Sequence, residues 1–447
     1  MTRNLLYQSQ RAMRERRENA LRRGLVAIVD LGSSKITCLI LAIDFALLRA
    51  TRADGVGRLD GQAGLKVIGA ATTRSRGIEL GEIAAMEEVE RGVRTVINAA
   101  QKMAEVRVDH VIACYSGGRP RSYGLLGEAE VEHGEVTEAD IGEALAQGEV
   151  PDYGAGREVL HALPVNFTLD HRTGLTDPRG LTGARLSVDM HMMTVSAESI
   201  ANMVQVFRRC DLELSGLVHS SYAAGLAAMT EDELELGGAC IDLGGGSTGL
   251  SIFMKRQMIY ADTVRLGGDH VTSDICHGLA VSNAVAERIK TFHGGLVATS
   301  RDDRDLIEVA RDPNDHTPTR PTVSRAELIG VMRPRVEEIL EAARDRLDAA
   351  SFEHMPGRRI VLTGGGSLVP GLEEIAARIL GRQVRLGRPL RIPGLPQAQT
   401  SAQFSAAVGL ALHLAKPSDE CWDFEVPADR YGTQRLRKAM RWFRENW

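Results

Sequence analysis

Nowhere in the 447 residues does an apolar run approach the 18 or so consecutive residues of a membrane span, so any membrane contact is expected to be peripheral. Cys-x-x-Cys pairs are also missing. The six cysteines stand apart at 38, 114, 210, 240, 276 and 421 and read as small core or surface residues of a reduced, cytoplasmic compartment. No strong charge of either sign is present: a net charge of −5 and a pI near 6.2 give no reason to expect nucleic acid as a partner. Gly-Lys never occurs, which excludes a P-loop, and His-Glu-x-x-His is absent, which removes the usual zinc-hydrolase pattern.

The 43% of hydrophobic residues is enough for two or three packed domains. Charge is unevenly placed along them. Residues 1–24 carry seven arginines against Glu15 and Glu18 and read as a solvated basic arm; Asp30 and Lys35 spoil the apolar core that a secretory signal would need.

A break in apolar sequence then occurs twice in nearly the same form. Residues 25–30 and 36–43 are β-branched and apolar, and between them stands Asp30-Leu-Gly-Ser-Ser-Lys35; residues 239–243 and 249–254 repeat the plan around Asp242-Leu-Gly-Gly-Gly-Ser-Thr248. Each reads as strand, tight turn, strand. The two copies lie too far apart for a solenoid repeat and suit two lobes of one duplicated architecture.

Such turns fit a phosphate chain, because glycine lets backbone N–H groups come close to the oxygens and adopt φ > 0. Gly32, Gly244, Gly245 and Gly246 would supply the backbone, Ser33, Ser34, Ser247 and Thr248 the hydroxyls, and Lys35 a positive charge beside the outer phosphates. Asp30 and Asp242, ending their strands in opposite lobes, suit a hydrated Mg²⁺, which takes few carboxylates. Gly244-x-Gly246-x-x-Gly249 matches the dinucleotide fingerprint formally, but that motif opens a helix, whereas LSIFMKRQMIY alternates as a strand. A third cluster, Gly364, Gly365 and Gly366 in RIVLTGGGSLVPGLEEIAARIL, reads strand, turn, helix and would line a base and ribose, with Glu287 and Lys290 placed nearby.

Residues 82–165 differ in texture: a helical pattern, the strand VDHVIACYSG, then acidic EVTEADIGEALAQGE, together expected to be an inserted α+β module. Helices are expected at 282–292, at 326–350 with Pro334 kinking or restarting it, and at 401–415, with a mobile loop over 298–324 and a linker over 416–432. In the last fifteen residues, TQRLRKAMRWFRENW, Leu436, Ala439, Met440, Phe443 and Trp447 recur on one helical face with Trp442 at its border, opposed by Arg435, Arg437, Lys438, Arg441 and Arg444. That pattern predicts a helix lying in the interface of an anionic membrane.

The three glycine motifs resemble the two phosphate motifs and the adenosine motif of the actin, Hsp70 and sugar-kinase superfamily. SRGIELG (75–81), TEDELELG (230–237), VTSDI (271–275), AERIKTFHG (286–294), VLTGGGS and AAVGLAL (406–412) narrow it: the chain from about residue 25 resembles the bacterial FtsA family. The resemblance implies an α/β, actin-like two-lobed fold that binds ATP, with Gly268 also at the nucleotide. It implies a first lobe of 25–81 plus 166–215 and a second of 216–265 plus 346–415. The small subdomain at 266–345 would hold the tail of the tubulin-like FtsZ, with Arg325 as a contact residue and Arg333 and Arg335 assisting. It further implies head-to-tail self-assembly, recruitment of later division proteins and residence at the septum on the cytoplasmic side of the inner membrane. Where relatives that hydrolyse ATP present Gln or Glu before the second phosphate loop, this chain has His219, Ser220 and Ser221 in LVHSSYAAG, so turnover is expected to be slow. A phosphotransferase of the sugar-kinase type is the alternative; no catalytic carboxylate facing an acceptor pocket is identifiable for it.

Overall fold

The computed structural model describes residues 13, 16–44, 46–47, 64–148, 152–309, 322–355, 357–415 and 420–421. The expected membrane helix over 433–447, most of the linker and the centre of the 298–324 loop lie outside them.

Strand β1 (Leu25–Leu31) turns back antiparallel into β2 (Lys35–Ile43), which pairs with β3 (Leu65–Arg74). After a two-residue ladder of β4 (Ile78–Glu79) and β5 (Glu82–Ile83), the helix Met86–Ala104 crosses the sheet and β6 (His110–Tyr115) returns parallel to β1. The crossing helix buries Val89, Val93, Val96, Ile97 and Ala100, one stripe at helical spacing. Gly69 of β3 lets it approach so closely that a Cβ there would stand 2.4 Å from the Ala100 carbonyl oxygen.

A separate sheet follows, made by β7 (Arg121–Glu130), β8 (Arg157–Leu169), β9 (Arg172–Leu175) and β10 (Arg185–Ser196) in the order β7-β10-β8-β9. The helix Glu138–Ala146 lies on it, started by a reciprocal cap between Thr137 and Asp140. β11 (Glu213–His219) then pairs parallel with β6 and completes the first sheet as β11-β6-β1-β2-β3.

The second sheet repeats this plan. β12 (Gly238–Leu243), β13 (Thr248–Met254) and β14 (Gln257–Val264) are an antiparallel meander, the strands β15 (Leu306–Glu308) and β16 (Thr322–Ser324) form a small outlying pair, and β17 (Arg359–Thr363) and β18 (Val384–Leu386) add parallel beside β12. Its order, β14-β13-β12-β17-β18, is the first sheet's order read from the other edge. Asp30 and Asp242 each stand next to last in the equivalent strand, which bears out the duplicated, two-lobed α/β architecture. Two helices, Ser220–Ala228 and Ser405–Ala415, join the lobes and cross at backbone contact: a Cβ on Gly409 would stand 1.7 Å from the Ala223 carbonyl oxygen.

Several boundaries differ from expectation. The inserted sheet spans 121–196, not 82–165, because β6 pairs with β1 and the Met86–Ala104 helix covers β2 and β3; residues 166–196 belong to the module, not to the first lobe. The basic arm ends in a helix over 16–23 that buries Ala20 and Leu21 in the first-lobe core and pairs Arg16 with Glu213 at 2.8 Å, so this part of it is not a solvated tail. The helix Arg325–Ala349 runs through Pro334 without restarting. Within the expected linker, Glu420 and Cys421 are buried, the cysteine in the core of the inserted module.

Candidate nucleotide cleft

Both turns are built alike. The Gly32 N–H donates to the Lys35 carbonyl at 3.1 Å and the Gly244 N–H to the Ser247 carbonyl at 3.0 Å. A Cβ would stand 3.0 Å from the Lys35 oxygen in one and 2.7 Å from the Ser247 oxygen in the other, so close approach explains these glycines. Left-handed backbone does not: among the cluster glycines only Gly364, at φ +83°, adopts it.

The two turns meet. A Cβ on Gly245 would stand 3.0 Å from Ser34 Cβ, and one on Gly246 2.5 Å from Ser33 Oγ, which itself accepts from the Gly81 N–H. The third cluster joins them, since Gly364 lies so close under Asp242 that a Cβ would stand 2.3 Å from its Oδ1. The result is a cavity of about 290 Å³ into which Gly32, Ser33, Ser34, Lys35, Gly244, Gly245, Gly246 and Ser247 all open from the two turns. Asp30, Asp242, Gly268, Glu287, Lys290, Gly364, Gly365 and Gly366 line it as well. Thr248 does not: it is fully buried, and its hydroxyl donates to the Leu266 carbonyl at 2.8 Å, because at the first position of β13 its side chain turns into the lobe. Gly245-Gly246-Ser247-Thr248-Gly249 also has nucleophile-elbow spacing, but an elbow leads into a helix and this segment continues as β13.

Charge at the cavity floor is held under tension. Burial raises the Asp30 carboxyl, with Lys35 and the Cys114 thiol opposing; burial and the neighbouring Asp30 push Asp242 up to about 7 against the pull of Lys35. The same burial lowers the Lys35 ammonium, which sits 4.9 Å from the centroid of the Phe404 ring. Two desolvated carboxyls at one spot fit a divalent cation, which would relieve their mutual repulsion.

On another part of the lining, Lys290 bonds Glu287 at 2.6 Å, Thr272 Oγ1 at 2.7 Å and the Gly268 carbonyl at 3.1 Å, tying the helix Asn283–His293 to the helix Gly268–Leu279. Burial works to raise the Glu287 carboxyl, but Lys290 and the Thr272 hydroxyl outweigh it and the net shift is downward. Sequence reading missed the apolar wall: Met332, Val336 and Ile339 of the Arg325–Ala349 helix and Leu368 and Val369 after the third turn. Their helical spacing was visible, but not that one stretch of the face borders a cavity. His219, Ser220 and Ser221 line the cavity where the Ser220–Ala228 helix begins, and burial lowers the His219 imidazole to about 3.

Arg325, Arg333 and Arg335 pair with three different acids. Arg325 bonds Asp302 at 2.7 Å and the His293 carbonyl at 3.1 Å, Arg333 bonds Glu337 at 2.9 Å, and Arg335 turns to Asp274 at 2.7 Å. Arg325 and Arg335 tie their helix to neighbouring segments, whereas Arg333 pairs within its own helix.

The family model described as Cell division protein FtsA matches residues 239–409, and the model described as SHS2 domain inserted in FTSA matches 117–194, the span of the β7–β10 sheet. The cell division protein FtsA of Rhizobium meliloti (strain 1021) is 39% identical over 389 residues, covering 87% of each chain. The chain belongs to the FtsA family. The FtsA of Agrobacterium fabrum (strain C58 / ATCC 33970) is 36% identical over 94% of this chain and 95% of its own, and that of Escherichia coli (strain K12) 28% identical over 90% and 93%. Among solved structures, the PilM-PilN type IV pilus biogenesis complex (TM-score 0.57, 16% identity, 88% of this chain and 99% of that one) and MreB5 of Spiroplasma citri bound to ADP (0.51, 14%, 87% and 95%) share the actin-like fold. Among the described residues no helix is long and apolar enough to cross a membrane.

Proposed function

We propose that this FtsA-family protein binds ATP with Mg²⁺ in the cleft and tethers FtsZ polymers to the cytoplasmic face of the inner membrane at the septum. The observation that carries the reading is the meeting of two equivalent Gly-Ser turns and two buried aspartates in one cavity of an actin-like fold. Backbone N–H groups and the Ser33, Ser34 and Ser247 hydroxyls would face the phosphates, Lys35 would offset their charge, and the Met332 and Val336 wall would cover the base. Asp30 and Asp242 would hold Mg²⁺ through water. The ion would supply positive charge to offset that of the phosphates. His219, Ser220 and Ser221 supply no carboxylate or carboxamide to orient an attacking water, so nucleotide acts as a conformational and polymer ligand; phosphate release near 1 s⁻¹, an ordinary enzymatic rate, would contradict this.

In this reading the small subdomain takes the FtsZ C-terminal tail, the body assembles head to tail, the last fifteen residues lie on anionic lipid, and the membrane-bound polymer helps recruit later division proteins. Since Arg325, Arg333 and Arg335 already serve internal ion pairs, a docking tail would have to share or displace those partners. The test is liposome flotation of FtsZ polymers with ATP and either the full chain or a chain ending at Gly432. FtsZ is expected to float with the full chain alone; flotation with neither, while ATP still binds, would sink the adaptor reading.

A further inference from the structure

Behind the wall of the cleft lies a buried polar chain that the nucleotide site does not itself use. The backbone N–H of His219, a cleft-lining residue, donates to His161 Nε2 at 3.1 Å. An imidazole nitrogen that accepts from an N–H carries no proton, so the ring proton of neutral His161 resides on Nδ1. There it points to Glu420 Oε1 at 3.1 Å, and the second carboxylate oxygen, Oε2, accepts from the Ala162 N–H at 2.9 Å. His161 and Glu420 are 1% and 8% exposed in their side chains, and the His161 ring meets Tyr222 of the Ser220–Ala228 helix edge-on at 5.2 Å. Glu420 follows the Ser405–Ala415 helix in sequence and precedes the last residues of the chain, and it is buried together with Cys421. A carboxylate suits this place better than an amide, because both of its oxygens must accept.

We propose that Glu420 is a positioning residue that couples the root of the C-terminal tail to the nucleotide cleft through His161 and His219. This rests on the cleft being a nucleotide site. Docked Glu420 holds His161 in the tautomer that accepts from the His219 N–H, which sets the start of the Ser220–Ala228 helix against the cavity. A nucleotide that needs that wall in place therefore tightens the docking of Glu420, and loss of the docking weakens the nucleotide by the same factor, since coupling between two sites is reciprocal.

The test uses the full chain, ATP with Mg²⁺, calorimetry and amide hydrogen exchange. Glu420→Gln keeps the shape but offers one accepting oxygen where two are needed; it is expected to weaken ATP about fivefold or more, the lower end of ordinary coupling. In the unaltered protein ATP is expected to slow exchange at Ala162, His219 and residues 420–421, and in the variant to leave it unchanged. ATP binding with no change in exchange at these amides would overturn the proposal even if the variant failed to fold, and so would equal ATP affinity of a folded variant. A purely structural Glu420 would lower stability without making Ala162 exchange respond to ATP. Failure of the unaltered protein to bind ATP would be a separate result, bringing down the nucleotide reading and the coupling with it.

Discussion

Asp242 shows how a single residue sets both a cost and a use. Its carboxyl titrates near 3.8 when solvated and near 7 in the fold, chiefly because burial disfavours its charge. A raised carboxyl pKa means that the folded state holds the proton more tightly than the unfolded one. Stability is therefore undiminished below about pH 4, falls as pH rises between the two values and stays reduced above about 7; at about 1.4 kcal/mol per pKa unit the loss is on the order of 4 kcal/mol. Asp242→Asn is expected to melt higher than the unaltered protein at pH 8, with the gain shrinking toward pH 5, while binding Mg²⁺ and ATP more weakly; an equal gain at both pH values would refute the account. The glycines give a paired prediction. Gly246→Ala would drive a Cβ into Ser33 Oγ at 2.5 Å and the Leu80 N at 2.9 Å across the meeting of the lobes, whereas Gly365→Ala meets only Gln403 Cβ at 3.7 Å. At roughly 1–3 kcal/mol for overpacking, the first should weaken ATP about tenfold or more and the second little, as read by nucleotide titration. The residue types at these turns were legible in the sequence because the close approach of the backbone restricts them to small residues. That Thr248 turns inward was not, because it depends on which side of β13 the cavity lies.

At the level of elements, strands and helices followed their periodicities closely: the hairpins, the Met86–Ala104 helix and the third strand-turn-helix all stand where the patterns put them. Assignment of elements to units did not follow. An apolar stripe such as Val89, Val93, Val96, Ile97 and Ala100 announces that a helix covers something; pairing of β6 with β1, a contact far away in sequence, decides what. The crossing of the Ser220–Ala228 and Ser405–Ala415 helices was hidden for the same reason. Replacing an interior helical glycine by alanine ordinarily stabilises by about 1 kcal/mol. Gly409 should reverse the sign, since the added Cβ meets the Ala223 carbonyl at 1.7 Å and neither backbone can step aside without moving a lobe. Gly409→Ala is expected to lose stability at or beyond the upper end of the 1–3 kcal/mol range for overpacking. Gly330→Ala, in the Arg325–Ala349 helix with open space around it, is the control and should gain slightly. Urea midpoints decide it, and a Gly409→Ala chain as stable as the parent would show that the helices are not in backbone contact.

For the whole molecule, the proposed tethering role requires a protein with no spanning helix among its described residues to stay on a membrane. The expected anchor offers Leu436, Met440, Phe443 and Trp447 with Trp442 at the border, side chains worth about 1.5–3 kcal/mol each when fully buried, and Arg441 among five cations worth about 1 kcal/mol each at an anionic leaflet. Incomplete insertion and the ordering of the helix reduce that sum, which leaves a single tail as a reversible anchor. Joining many subunits changes the outcome without any new contact, because once one tail is seated its neighbours meet the surface at a high effective concentration. Assembly and membrane residence are then one coupled equilibrium. At equal lipid and equal subunit concentration, chain polymerised with ATP should float at least tenfold more completely than chain kept monomeric by dilution or by omission of nucleotide, and added salt should release the monomer first, since it screens the cations. Equal flotation of the two forms would mean that one tail anchors on its own.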